Sequence, residues 1–194
     1  MKILILGDSF AADWSVVDIP YQGWPNLLSK KYEVSNLAQA GVSQYKILEQ
    51  AKSTDLSQFD VIIVCFTDDF RLFVPKHPIH HKSELHNNCD LLFSDLQYHV
   101  KKLKNIFNVK LWVSYLWYGY SFNSNYYQTI SNLIKKEIKT KLNVANALVI
   151  TDEELEIRQH FISESGVVNH LNENANKLIF DKINRRISDA QKNT

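Results

Sequence analysis

The chain has 194 residues, 45% of them hydrophobic and 22% charged, with a formal net charge of +1, so one globular domain spanning residues 1–194 is expected. So small a net charge gives no electrostatic reason to expect nucleic acid or an anionic membrane surface as partner, and no apolar run approaches the ~20 residues of a membrane span. Cys65 and Cys89 are the two cysteines; isolated thiols of this kind make neither a disulfide framework nor a metal knuckle. The sequence opens on an apolar run with no basic segment or cleavage pattern ahead of it, and a cytoplasmic location is expected.

Ile3, Leu4, Ile5 and Leu6 form an unbroken apolar run that suits a strand buried on both faces. Gly7, Asp8 and Ser9 break it, placing a hydroxyl at the carboxyl end of that strand, where open α/β sheets hold their chemistry. Residues 23–32 read as a helix with Pro25 in its first turn and Trp24, Leu27, Leu28 and Tyr32 as its apolar stripe. Residues 33–36 read as a short second strand. A loop over 37–43 leads into a helix from Ser43, its N-cap, to about Ala51. Residues 59–66 are the clearest interior strand, and Thr67, Asp68, Asp69, Phe70 and Arg71 follow at the same sheet edge as Ser9.

A long irregular segment, Leu72 to about Asn88, is rich in histidine; connections of this length are uncommon and often functional. Helical spacing returns from Asp90 to Asn105 through Leu91, Leu92, Leu96, Val100 and Leu103. Val109 to Leu116 reads as a fourth strand ending in Tyr115, Trp117, Tyr118 and Tyr120. A helix from Asn125 to about Leu142 carries Ile130, Leu133, Ile134 and Ile138, and Ala145 to Ile150 is a fifth strand. The last helix runs from Asn172 to about Ser188 and is expected to bury Leu178, Ile179, Ile183 and Ile187. Strands alternating with helices argue for an α/β fold: a five-stranded parallel sheet with helices on both faces, flavodoxin-like, in the order 2-1-3-4-5.

Ser9 near one end and His170 near the other, with β/α units between, resemble the SGNH/GDSL hydrolase family of serine esterases and acetyl-group enzymes. Four short blocks carry the resemblance, which runs over nearly the whole chain and implies the same three-layer architecture. Gly7-Asp8-Ser9 matches fully and implies Ser9 as nucleophile. Asn36-Leu37-Ala38-Gln39-Ala40-Gly41-Val42-Ser43 resembles the block whose glycine lends a backbone N–H to an oxyanion hole, which implies that role for Gly41; a glycine that merely ends a loop fits the same residues.

The other two blocks depart from the family. Its Gly-x-Asn-Asp falls on Phe66-Thr67-Asp68-Asp69, so a carboxylate, Asp68, stands where an amide would donate to the oxyanion. Arg71 could supply the positive charge instead, or Asp68, Asp69 and Arg71 could form a local ion pair at a turn. The family's Asp-x-x-His falls on Val167-Val168-Asn169-His170, where Val167 cannot orient an imidazole. Glu164 is the substitute closest to hand, with Asn169 or a backbone carbonyl as alternatives.

His77, His80, His81, His86 and Glu84 offer nitrogen and oxygen ligands, but their spacing fits no helical His-x-x-x-His pair and lysines interleave them. A solvated or substrate-facing loop fits better, and neither a metal nor a cofactor is expected. The aromatic group Tyr115, Trp117, Tyr118 and Tyr120 suits stacking on a sugar or acyl group, or an ordinary aromatic rim. Two functional expectations follow. One is a serine hydrolase or acyltransferase acting on a short acyl ester, such as acetyl on a carbohydrate or small molecule. The other is a weak or inactive relative that binds a saccharide or a protein partner. Neither speaks to the oligomeric state.

Overall fold

The apolar run near the N-terminus behaves as a strand covered on both sides. In the computed structural model, which describes residues 1–16, 21–67, 71–72, 91–92, 124–157 and 170–193, strand β1 is Lys2–Gly7 and Ile3 to Leu6 are wholly buried. Their side chains alternate, as the two-residue period of a strand requires. Ile3 and Ile5 join one hydrophobic cluster with Trp24, Leu28, Ile63, Ile179 and Ile183. Leu4 and Leu6 join another with Ile47, Leu48, Ile62, Val64 and Ile138.

The remaining elements follow from that two-sided burial. Helix α1, Trp24–Ser29, has Pro25 in its first turn and buries Trp24 and Leu28. Strand β2, Glu33–Asn36, pairs parallel to β1 at the sheet edge. Helix α2, Gln44–Lys52, starts at Ser43, whose hydroxyl accepts from Lys46 N. Strand β3, Val61–Cys65, is buried throughout and pairs parallel to β1 on its other side, with Gly7 opposite Cys65. Two short strands, β4 (Arg71–Leu72) and β5 (Leu91–Leu92), form a separate antiparallel pair. Helix α3, Ser124–Leu142, precedes strand β6, Leu148–Thr151. A one-turn helix α4, Asp152–Leu155, follows through a capping box between Thr151 and Glu154. Helix α5, Glu173–Lys192, is capped by Asn172. Helices α1 and α5 pack together on one face of the sheet, α2 and α3 on the other.

The architecture is therefore α/β with a parallel sheet and helices on both faces, as expected, but the sheet order differs. Among the described residues it is four-stranded, β2-β1-β3-β6. Val61 to Val64 pair directly with Leu148 to Thr151, so the last expected strand occupies the place assigned to the fourth. The expected fourth strand, residues 109–116, lies outside the described residues.

Three smaller expectations are also corrected. Leu91 and Leu92 begin no helix but pair with Leu72 and Arg71. Leu178 is 41% exposed, because the buried stripe of α5 runs through Ala175, Ile179, Ile183 and Ile187 and position 178 lies about 100° off it. Leu133 is 62% exposed for a similar reason on α3, whose buried side carries Ile138 and Leu142. Ile134 is only partly buried against that cluster. No helix among the described residues is long and apolar enough to cross a membrane.

A close approach in the sheet lies at the end of β1. Gly7 has φ 153°, and a Cβ built there would lie 2.7 Å from both Cβ and O of Cys65. Gly7→Ala is therefore expected to cost about 1–3 kcal/mol in backbone strain and forced repacking. A lowered urea midpoint with an unchanged slope would show it; an unchanged midpoint would contradict the overlap.

Candidate active site

The turn that carries Ser9 begins where β1 stops, and its backbone groups must find partners outside the sheet. Asp8 supplies the first: its carboxylate accepts from Phe10 N at 3.0 Å, an Asx turn, and Ala11 N donates to Asp8 O at 3.1 Å. The next carbonyls are taken by side chains. Trp14 Nε1 donates to Ser9 O at 2.9 Å, Trp24 Nε1 to Phe10 O at 2.8 Å, and Asn36 Nδ2 to Ala11 O at 2.8 Å. Asp8 is buried, with Cys65 Sγ donating to its Oδ1 at 3.7 Å. Ser9 itself is 7% exposed. The hydroxyl is thus mounted on a turn fixed from several directions.

The opposite wall comes from the chain's far end. His170 stands just ahead of α5, its ring 5.1 Å from that of Phe10 and edge-on to Trp14 at 5.0 Å. The backbone after it is held at Leu171 O, which accepts from Tyr21 Oη at 3.0 Å and Asn176 Nδ2 at 3.1 Å. Asn176 also donates to Asn172 O and accepts from Trp24 N at 2.9 Å. One buried carboxamide therefore joins α1 to the segment that carries His170.

Ser9 and His170 line the same cleft, together with Phe10, Trp14, Tyr21, Gly23, Leu171 and Asn176. Its enclosed space is only about 10 Å³, room for about one water molecule and well short of a typical small-molecule site. No hydrogen bond joins the Ser9 hydroxyl to His170 Nε2, which is buried. The two expected groups share a wall of the cleft.

Gly41 has φ 75°, the left-handed backbone that a glycine adopts freely. Its loop is tied to the nucleophile strand by Gln39 N donating to Gly7 O at 3.1 Å. Gly41 does not line the cleft. Backbone at Arg71 belongs to β4, whereas Asp68, Asp69, Glu164, Val167 and Asn169 lie outside the described residues. So do the histidine segment and the aromatic group at 115–120. No cluster of His, Cys, Asp or Glu suited to a metal occurs among the described residues.

Sequence reading missed Phe10, Trp14, Tyr21 and Asn176 as site residues. For Trp14 and Tyr21 a signal existed, since aromatics near a nucleophile strand can line a cleft. For Asn176 there was none, because a polar residue on an apolar helix stripe looks like an interruption.

No protein-family model matches the chain, and no curated protein matches it. Solved structures do. One is a lipolytic protein of the G-D-S-L family from Desulfitobacterium hafniense DCB-2, 15% identical over 95% of this chain and 98% of that one, with a TM-score of 0.42. Another is the psychrotrophic esterase EstA from Pseudoalteromonas sp., 16% identical over 98% of both chains, with a TM-score of 0.47. A G-D-S-L lipolytic protein from Veillonella parvula DSM 2008 is 15% identical over 94% of this chain and 95% of that one, at a TM-score of 0.38.

Two measurements probe the frame of the site. Asn176→Ala removes the amide shared by Trp24 N, Leu171 O and Asn172 O, and is expected to cost about 1–3 kcal/mol; a change within error would mean that these groups find other partners. Asp13, next to Trp14, feels opposing effects: burial pushes its carboxyl up, but donors from Asn26 and Ser15 outweigh this and hold it below its ordinary value. Its contribution is then complete above the unfolded carboxylate value of about 3.9 and is lost as pH falls through the lower folded value. The stability gap between wild type and Asp13→Asn should therefore shrink between about pH 6 and about pH 2. A gap constant over that range would contradict the bonded carboxylate.

Proposed function

We propose that the chain is a single-domain serine hydrolase or acyltransferase acting on a short acyl ester, with Ser9 as nucleophile and His170 as general base. The observation that carries this reading is the shared cleft: residues from opposite ends of the sequence meet beside a strand-end serine whose turn is fixed. Ser9 Oγ attacks the acyl carbonyl carbon while its proton passes to His170 Nε2. The tetrahedral intermediate then expels the alcohol, which takes that proton from the imidazolium. Water, or an acceptor hydroxyl in a transferase, attacks the acyl-serine by the same steps and restores Ser9 Oγ–H.

Backbone N–H groups of Ser9 and Gly41 would hold the oxyanion, with Asp68 and Arg71 completing that side in place of the family's asparagine. Glu164 is the proposed partner of the imidazole. The walls of Phe10, Trp14 and Tyr21 crowd the space beside Ser9 and so favour a short acyl group such as acetyl, on a carbohydrate or another small alcohol. No cofactor, metal, nucleic acid or membrane enters the scheme, and a cytoplasmic location belongs to the same reading.

A second reading has its own observation. No hydrogen bond reaches His170 Nε2 from Ser9 Oγ, and two family positions carry Asp68 and Val167 instead of the usual residues. Both fit a weak or inactive relative that binds a saccharide or protein partner. Catalytic hydrogen bonds are often long before a substrate is bound, and on that ground the hydrolase reading is preferred.

Reaction with a fluorophosphonate probe separates the two. The wild type is expected to label, Ser9→Ala to be inert, and His170→Ala to label at least a hundredfold more slowly, on the order of the loss of a general base. A folded wild type that does not label would overturn the hydrolase reading and favour the binding one.

A further inference from the structure

Gln50 lies on α2 and is not part of the cleft lining, yet it meets the backbone just ahead of the nucleophile. It is 6% exposed. Its Oε1 accepts from Gly7 N at 3.0 Å, and its Nε2 donates to Gly7 O at 3.4 Å.

The reason lies in the sheet. In a parallel pair, alternate residues of one strand bond to the same neighbour. Ile5 faces β2, with Leu37 N donating to Ile5 O at 2.8 Å, and Gly7, two residues on, faces the same way. By that point β2 has ended at Asn36. Gln39 N still reaches Gly7 O at 3.1 Å, but the N–H of Gly7 is taken by a side chain. A carboxamide presents an acceptor and a donor side by side, so it can stand in for the missing stretch of strand. A leucine or methionine of similar size would leave a buried N–H unpaired.

The same helix begins beside the other expected functional backbone. Gly41 and Ser43 lead directly into α2, and Ser43 caps it. One rigid element therefore starts at the Gly41 segment and, through Gln50, grips the residue two before Ser9. We propose that Gln50 is a positioning residue that locks the Gly7-Asp8-Ser9 turn to α2 and so fixes the Ser9 hydroxyl relative to the Gly41 amide. Its kinetic consequence rests on the serine-hydrolase reading; its structural consequence does not. A misplacement of about 1 Å at a reacting group can cost on the order of a hundredfold in rate, which makes this grip a determinant of reactivity as well as of stability.

Amide NMR and probe kinetics on the full chain test it together. In the wild type, Gly7 N–H should exchange with solvent as slowly as Ile5 N–H; fast exchange would overturn the proposal whatever the variants do. In folded Gln50→Met, Gly7 exchange should rise about tenfold or more, and the Ser9 and Gly41 amide resonances should both move while those of Ile179 and Ile183 stay. Fluorophosphonate labelling per folded molecule should slow by about ten- to a hundredfold with little change in reversible probe affinity, a split that loss of stability alone would not produce. Gln50→Glu, which keeps the acceptor for Gly7 N–H, should retain that amide's protection and shift Ser9 and Gly41 less. Unmoved Ser9 and Gly41 resonances, or unchanged labelling alongside a freed Gly7 amide, would overturn the proposal. A wild type that does not label sinks the hydrolase reading alone, and the exchange and resonance data still decide the role of Gln50.

Discussion

A parallel strand that ends inside a sheet leaves N–H and C=O groups that water cannot reach, and every feature at the carboxyl edge of this sheet answers that constraint. The answers come from side chains. Gln50 bonds Gly7, while Trp14, Trp24 and Asn36 bond the carbonyls of Ser9, Phe10 and Ala11. One strand over, Asp152 Oδ1 accepts from Phe66 N at 3.1 Å just after β3 stops, and Gln44 Nε2 donates to Thr67 O at 2.8 Å. Each bond adds only modest net stability, but leaving any of these groups unmade would cost its full desolvation. The outcome is an edge whose geometry is dictated by buried and part-buried amides and indoles.

Beneath that edge the packing is ordinary. Alternate residues of β1 and β3 feed two separate clusters, one closed by α1 and α5, the other by α2 and α3. At Gly7 the backbone of β1 lies against Cys65 of β3 with no room for a side chain, and it marks the boundary between this regular core and the irregular turn that bears Ser9. The polar edge and the apolar body meet at a single residue without a side chain.

The body was legible in the sequence because periodicity reports burial. An unbroken apolar run gave β1, the serine before a helical stretch gave the start of α2, and the i, i+4 spacing of Ile179, Ile183 and Ile187 gave the buried face of α5. Leu178 misled, since hydrophobicity alone does not say on which side of a helix a residue falls. The place of β6 was misjudged because strand order depends on which edges are left open, information that no local pattern holds. At the site, the motifs pointed to Ser9 and His170, which the fold does bring into one cleft. The residues that hold them are a different matter. Gln50 and Asn176 are amides on otherwise apolar helix faces, and their meaning appears only once the backbone groups they satisfy are located in space.

The clamp around Leu171 has a consequence for biosynthesis. Tyr21 reaches Leu171 across 150 positions of sequence, and Asn176 reaches Trp24 across 152. During synthesis the serine turn is made well over a hundred residues before the segment that completes its cleft. Until α5 has left the ribosome, the Trp24 amide lacks its carboxamide partner, and the apolar face of α1 and the sheet beneath it is uncovered. Between those two points a nascent chain exposes a sticky, half-built surface, and a product truncated before residue 170 carries a nucleophile turn with no histidine to meet it.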